Sequence, residues 1–130
     1  MATFLLDSSV IIDALNGKHD RPTLLKQLLS DGHVFACCPI NIAEIYAGIR
    51  PKEEATTQAF LASLQYFPIT PAAAQRAGLL KRDHARKGVS LGLADVMIAA
   101  VAIEQGIALL TDNVKDFPMK ELSLYPVPKA

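Results

Sequence analysis

Five acidic residues stand where an ionisable group is least at home. Asp7 ends the apolar run Phe4-Leu5-Leu6, and Glu44 lies between Ile42-Ala43 and Ile45-Tyr46. Asp95 heads the most hydrophobic stretch of the chain, Val96 to Ile103, and Asp112 and Asp116 follow Ala108-Leu109-Leu110-Thr111. A charge held near a core is costly unless it is paired. No Lys or Arg lies within four residues of Asp7, and none falls between Val89 and Val114, so local ion pairs do not account for Asp7 or Asp95. If folding gathers these acids, two carboxylates about 4 Å apart repel by about 4 kcal/mol at an effective dielectric of about 20. A protein answers such repulsion by raising a pKa or by binding a cation. A donor set of carboxylate oxygens, without thiolates or imidazoles, suits Mg²⁺ or Mn²⁺ rather than zinc.

Each acid taken singly has a plainer use. An Asp at a strand end readily bonds turn amides, which covers Asp7. Glu44 sits three residues after Asn41, the spacing of a capping box. Asp95 suits an N-cap or a first-turn acid favoured by the helix dipole. Asp112, Asn113 and Asp116 suit a loop, and Asp13 suits a helix surface. The chemistry therefore depends on the combination.

The elements that must position these residues read as one α/β unit. Phe4 to Leu6 predicts a buried strand stopped by Asp7, with Ser8 or Ser9 as N-cap for a helix from Val10 to Leu15. A loop from Asn16-Gly17 to Pro22 precedes a helix carrying Leu24, Leu25, Leu28 and Leu29 on one face. Val34 to Cys37 predicts a second strand, and Asn41 opens a helix that Pro51 closes. Further helices are expected over Glu53 to Leu64, from Thr70-Pro71 to about Lys87, and from Leu93 to Gln105. Tyr66 to Ile69, Ile107 to Leu110 and Ser123 to Val127 are the remaining strand candidates. Alternation of strands and helices predicts a three-layer fold, a parallel sheet of four to five strands flanked by helices. Such sheets bind ligands outside the carboxyl ends of their strands, where Asp7 and Asp112 fall.

Bulk composition bounds the rest. A chain of 130 residues, 51% apolar and 20% charged, fits a single domain over 1–130 with a substantial core. Thirteen basic and thirteen acidic residues give zero net charge, so any nucleic-acid contact must come from local patches. The candidates are Lys81-Arg82 with Arg86-Lys87, and Arg50 with Lys52. The opening residues lack the basic region of a signal peptide, and Val96 to Ile103 is too short to span a bilayer. Adjacent residues on a strand point to opposite faces, so Cys37 and Cys38 read as two free thiols, which suits a reducing cytoplasm. His19, His33 and His84 are scattered and lack zinc-site spacing.

With these residues in view, the chain resembles the PIN-domain proteins, and specifically the VapC toxins of type II toxin–antitoxin pairs. The resemblance runs through Leu5-Leu6-Asp7-Ser8-Ser9-Val10-Ile11-Ile12-Asp13 and Pro39-Ile40-Asn41-Ile42-Ala43-Glu44-Ile45-Tyr46-Ala47-Gly48-Ile49. It continues with Leu93-Ala94-Asp95-Val96-Met97-Ile98-Ala99-Ala100 and Leu110-Thr111-Asp112-Asn113-Val114-Lys115-Asp116-Phe117. It implies a PIN-like fold with an acidic pocket at the C-terminal edge of the sheet. Asp7 and Asp95 match the family's metal-binding acids, Glu44 its second acid, and Ser9 its supporting hydroxyl. Asn113 and Asp116 match one form of the family's closing motif; Asp112 matches another, and both alternatives stand.

The resemblance further implies an Mg²⁺- or Mn²⁺-dependent endoribonuclease that cuts a structured RNA with an exposed loop. It also implies a homodimer, and a cognate antitoxin protein whose tail blocks the pocket. Two other classes compete. A catalytically silent PIN-like module would bind RNA or protein only, but every matching acid is present. A receiver-like signalling domain would want a further acidic pair at the end of the first strand and a lysine after a late strand. A phosphatase with an aspartate nucleophile would want Asp-x-Asp, and residue 9 is Ser.

Overall fold

The computed structural model describes residues 1–127. Its strands β1 (Thr3–Leu6), β2 (Val34–Cys37), β3 (Gln65–Tyr66), β4 (Ala108–Thr111) and β5 (Leu124–Pro126) form one sheet in the order β3-β2-β1-β4-β5. Every neighbouring pair is parallel, with Leu5 in register with Ala36 on one side and Leu109 on the other. Helices α1 (Ser8–Leu15), α2 (Arg21–Ser30), α3 (Pro39–Ala47), α4 (Glu54–Ala62), α5 (Pro71–Arg86) and α6 (Leu93–Gln105) make the crossovers. The order reverses between β1 and β4, and that switch point is where open α/β sheets bind ligands. A receiver-like sheet instead sets its first strand between the second and third, which this order does not do.

Parallel strands covered on both faces must be apolar on both. Alternation along β1 sends Phe4 and Leu6 towards α1 and α2, where they join Val10, Ile11, Leu25, Leu28 and Leu110. Leu5 and Leu109 point the other way, into a core with α5 and α6. There Ala73 and Ala77 of α5 and Ala99 and Ala102 of α6 are all buried, and such small side chains let the two helices approach closely. Cys37 and Cys38 are free and buried; burial pushes the Cys37 thiol up to about 11, so it stays protonated and unreactive at neutral pH. Among the described residues no helix is long and apolar enough to cross a membrane.

Several element boundaries differ from the sequence expectation, each for a local reason. Helix α1 begins at Ser8 with Asp7 itself in the N-cap position, because the Asp7 carbonyl accepts the Val10 and Ile11 amides at 3.0 and 3.2 Å. Helix α3 begins at Pro39, whose missing N–H and fixed φ suit a first turn, so Asn41 is its third residue rather than its opening one. That helix ends at Ala47, and Pro51 instead starts a 3-10 turn, Pro51–Glu53. Strand β3 stops at Tyr66, short of Pro68, which cannot donate to a ladder. Helix α6 and the Thr70 N-cap of α5, whose hydroxyl accepts the Ala73 amide at 3.0 Å, fall where expected.

Candidate active site

Strand β1 delivers Asp7 to the sheet edge with only 6% of its surface exposed. Its Oδ2 accepts the Thr111 hydroxyl at 2.7 Å from the end of β4, the neighbouring strand at the switch point, and the Ser9 hydroxyl approaches the same oxygen at 3.4 Å. Burial pushes the Asp7 carboxyl above the usual range; Thr111 and the Ser8 amide oppose this, while the charges of Asp112 and Glu44 reinforce it.

Asp95 is the third residue of α6 and half-buried; Gly92 is that helix's N-cap, which settles Asp95 as a first-turn acid. Burial, and then the charges of Asp7, Asp116 and Glu44, push its carboxyl up to about 6. A Cβ at residue 92 would sit 3.3 Å from Asp95 Oδ2, so glycine there leaves the carboxylate room. The Lys81 amine of α5 donates to the Leu91 carbonyl just before this helix start. One candidate of the basic patches is thus a tether for the α6 approach, while Arg82 is engaged with Asp83 and Arg50 with Glu53.

Glu44 is not a cap. The amide that a capping box would occupy, Cys38 N–H, is taken by the Asn41 side-chain oxygen at 2.9 Å. Glu44 is exposed at the pocket edge, where its Oε1 accepts the Ser8 hydroxyl at 2.7 Å. Asn41 is fully buried and also donates to the Leu6 carbonyl at 3.1 Å and to Ser8 Oγ at 2.9 Å. A single amide thereby ties β1, the α1 start and the α3 start together. Asn41→Ala strips a partner from three buried groups, and a loss of about 2–4 kcal/mol is expected in urea unfolding; a change below about 0.5 kcal/mol would refute that role.

The segment after β4 separates its two acids. Asp112 receives Arg21 Nη2 on Oδ2 at 3.1 Å and the Ser9 hydroxyl on Oδ1 at 3.3 Å. Asp116 closes a 3-10 turn, Val114–Asp116, and its side chain carries no hydrogen bond or ion pair among the described residues. Asn113 donates its amide to Thr111 Oγ1 at 2.9 Å and its side chain to Ser9 Oγ at 3.4 Å. Asp13 stands apart, paired with His19 at 2.8 Å.

Of the four acids Asp7, Glu44, Asp95 and Asp116, folding brings Asp95 within electrostatic reach of the other three, and Asp7 within reach of Glu44 and of Asp112. None of the ion pairs among the described residues involves any of the four. Asp112 departs from the expectation: it has a cation of its own, Arg21, brought from 91 residues away. Sequence reasoning misses Arg21, Thr111, Ser8 and Asn41. The one available signal for Arg21 is a basic residue at a helix start, which the helix dipole disfavours.

Among the described residues no three His, Cys, Asp or Glu side chains form a ready-made metal-ligand group. The fit to a divalent cation rests on donor chemistry: oxygen-only ligands, one of them buried, that stand outside every ion pair of the described residues. Beside Glu44 a mixed groove opens between α1 and α3, lined by Ile12, Leu15, Ile45 and Ile49 together with Asn16, Glu53 and Thr57.

Comparison with known proteins gives the family and the fold. The family described as "PIN domain" matches residues 4–118. Ribonuclease VapC19 of Mycobacterium tuberculosis is 32% identical over 115 residues, 88% of this chain and 92% of that protein. The VapBC2 structure from Rickettsia felis, bound to a DNA fragment from the promoter, superposes with a TM-score of 0.84 at 22% identity, covering 97% of this chain and 99% of the other. A toxin–antitoxin complex from Klebsiella pneumoniae gives a TM-score of 0.75 at 25% identity, covering 95% and 99%.

Proposed function

This chain belongs to the PIN domain family, and from that premise we propose that it is an endoribonuclease, the toxin half of a toxin–antitoxin pair. The observation that carries the reading is the gathering of Asp7, Glu44 and Asp95 from three separate elements with no basic partner among the described residues. Asp7 and Asp95 would hold Mg²⁺ or Mn²⁺, helped by an acid after β4, with Glu44 beside them at the pocket edge. What a bound divalent cation supplies is a lowered pKa for water and an offset to phosphate charge.

The chain's own residues do the positioning. Thr111 fixes one oxygen of Asp7 by a 2.7 Å hydrogen bond, which steadies the carboxylate at the end of β1. Ser8 holds Glu44 Oε1, which leaves Oε2 to orient the attacking water and take its proton. The pocket's negative charge excludes RNA phosphates until it is neutralised, which makes cleavage conditional on the cation. A near-neutral protein with a small site suits an exposed RNA loop over a long duplex.

Support for the antitoxin comes from the toxin–antitoxin complex of the same fold and from the groove beside Glu44, which suits a partner helix. The test of the central reading is incubation of purified protein with labelled stem-loop RNA and Mg²⁺ or Mn²⁺. Cleavage that stops with EDTA and returns on adding excess Mn²⁺ is the expected result, together with growth arrest on expression. Cleavage indifferent to EDTA would remove the acidic pocket from the mechanism.

A further inference from the structure

Resting on that reading of the pocket, we propose that Arg21 is a positioning residue. It anchors Asp112 as a strut beside the pocket and keeps that carboxylate out of the cation-binding set, leaving Asp116 to complete the set from the segment after β4.

The Arg21–Asp112 pair is unlike the other ion pairs of the described residues. Its side chains are 3% and 11% exposed and lie 91 residues apart. The other three pairs join residues six or fewer apart, each with one side chain at least 41% exposed. Asp112 Oδ2 accepts Arg21 Nη2, and its Oδ1 faces the Ser9 hydroxyl, whose one proton is shared with Asp7 Oδ2. A cation bound to Asp112 would sit against a buried guanidinium that cannot lose its proton, and the like charges repel.

The segment around Arg21 points the same way. Arg21 opens α2, where a positive charge opposes the helix dipole. His19 and Asp20 just before it have φ of 58° and 56°, the left-handed region that Asp and His enter more readily than most side chains. Arg21 Nη1 donates to the His19 carbonyl at 3.1 Å, which locks this turn to the guanidinium. Nothing in α2 itself gains from a positive charge at its start; the tertiary pair accounts for it. Asp116, in contrast, has an unengaged carboxylate among the described residues, and its charge acts on Asp95 whereas that of Asp112 acts on Asp7.

The experiment compares Arg21→Gln, Arg21→Lys, Asp112→Asn, Asp116→Asn and the double variant Arg21→Gln/Asp112→Asn. Free Mn²⁺ is followed by electron paramagnetic resonance, without RNA, alongside thermal melts in EDTA. The double variant exchanges a charged pair for two amides. It is expected to bind Mn²⁺ within about threefold of the unaltered protein and to recover melting temperature lost in either single variant. Asp116→Asn is expected to weaken Mn²⁺ at least tenfold. Arg21→Gln frees Asp112 to add charge to the pocket, so it binds Mn²⁺ more tightly while cleaving more slowly, and Arg21→Lys restores part of both. A double variant that loses more than threefold in Mn²⁺ affinity would make Asp112 a ligand and overturn the proposal. Absence of coupling between the two positions in the melts would overturn it independently of any cation. If Asp7→Asn leaves Mn²⁺ affinity unchanged, the acidic-pocket reading itself fails, and that result is distinct from both.

Discussion

Asp7→Asn is expected to cut the rate of RNA cleavage by about 10²-fold or more, the scale of losing one group aimed at the reacting charge, while the fold persists and the chelated protein melts higher. Asparagine matches aspartate in shape, and its carbonyl oxygen can still accept the Thr111 hydroxyl that now bonds Oδ2 at 2.7 Å. What it removes is the negative charge. In the cation-free protein that charge opposes folding, because burial and the neighbouring Asp112 and Glu44 raise the Asp7 carboxyl. Activity and stability therefore move in opposite directions, a pairing that simple structural damage would not produce. Asp7→Ala supplies the contrast: it leaves the buried Thr111 hydroxyl without its acceptor and is expected to lower stability by about 1–3 kcal/mol. An Asp7→Asn protein that cleaves stem-loop RNA at the unaltered rate would end the nuclease assignment.

The stability of the chelated protein is expected to fall as pH rises from about 4 to above 6, and added Mn²⁺ at pH 7 to reverse the loss. Asp95 lies behind this. Its carboxyl is pushed from 3.8 up to about 6, by burial first and then by Asp7, Asp116 and Glu44. Between those values the folded chain holds a proton that the unfolded chain has released, so folding is favoured on the acid side and weakens as pH climbs through the folded value. Cation binding needs the ionised form, so Mn²⁺ affinity is expected to drop up to about tenfold for each pH unit below 6. Asp95→Asn removes this site's share of both dependences, leaving the part that belongs to Asp7. The checks are melting temperature from pH 3.5 to 7.5 in EDTA, and Mn²⁺ dissociation constants across the same range. Identical pH slopes in Asp95→Asn and the unaltered protein would exclude Asp95 from the pocket.

Both expectations follow from acids that are conspicuous in the sequence itself, although their surroundings are not. Helix α6 is readable to the residue, because the apolar run Val96 to Ile103 set between Gly92 and Gly106 leaves one local solution. Thr70-Pro71 announces α5 in the same way, through a hydroxyl cap and a proline that needs no helical donor. The start of α3 is harder to read because Asn41 looks like a cap. Pro39 has already begun the helix, and the Asn41 amide instead turns back to Cys38, Leu6 and Ser8. Glu44 is ambiguous between capping and chemistry for the same reason, and its partner is Ser8, 36 residues earlier.

The order of residues alone determined the α/β class, the helix and strand types, and which carboxylates would be hard to accommodate. These depend on periodicity, chain punctuation and the expense of an apolar neighbourhood, all of which act over a few residues. Only the tertiary structure decided that Thr111 steadies Asp7, that Asp116 bears on Asp95, and that Asp112 is neutralised by Arg21. Those pairings span tens of residues or arise where separate strands and turns meet. They are set by strand order and crossover packing, through which a charge finds its counter-charge in space rather than along the chain.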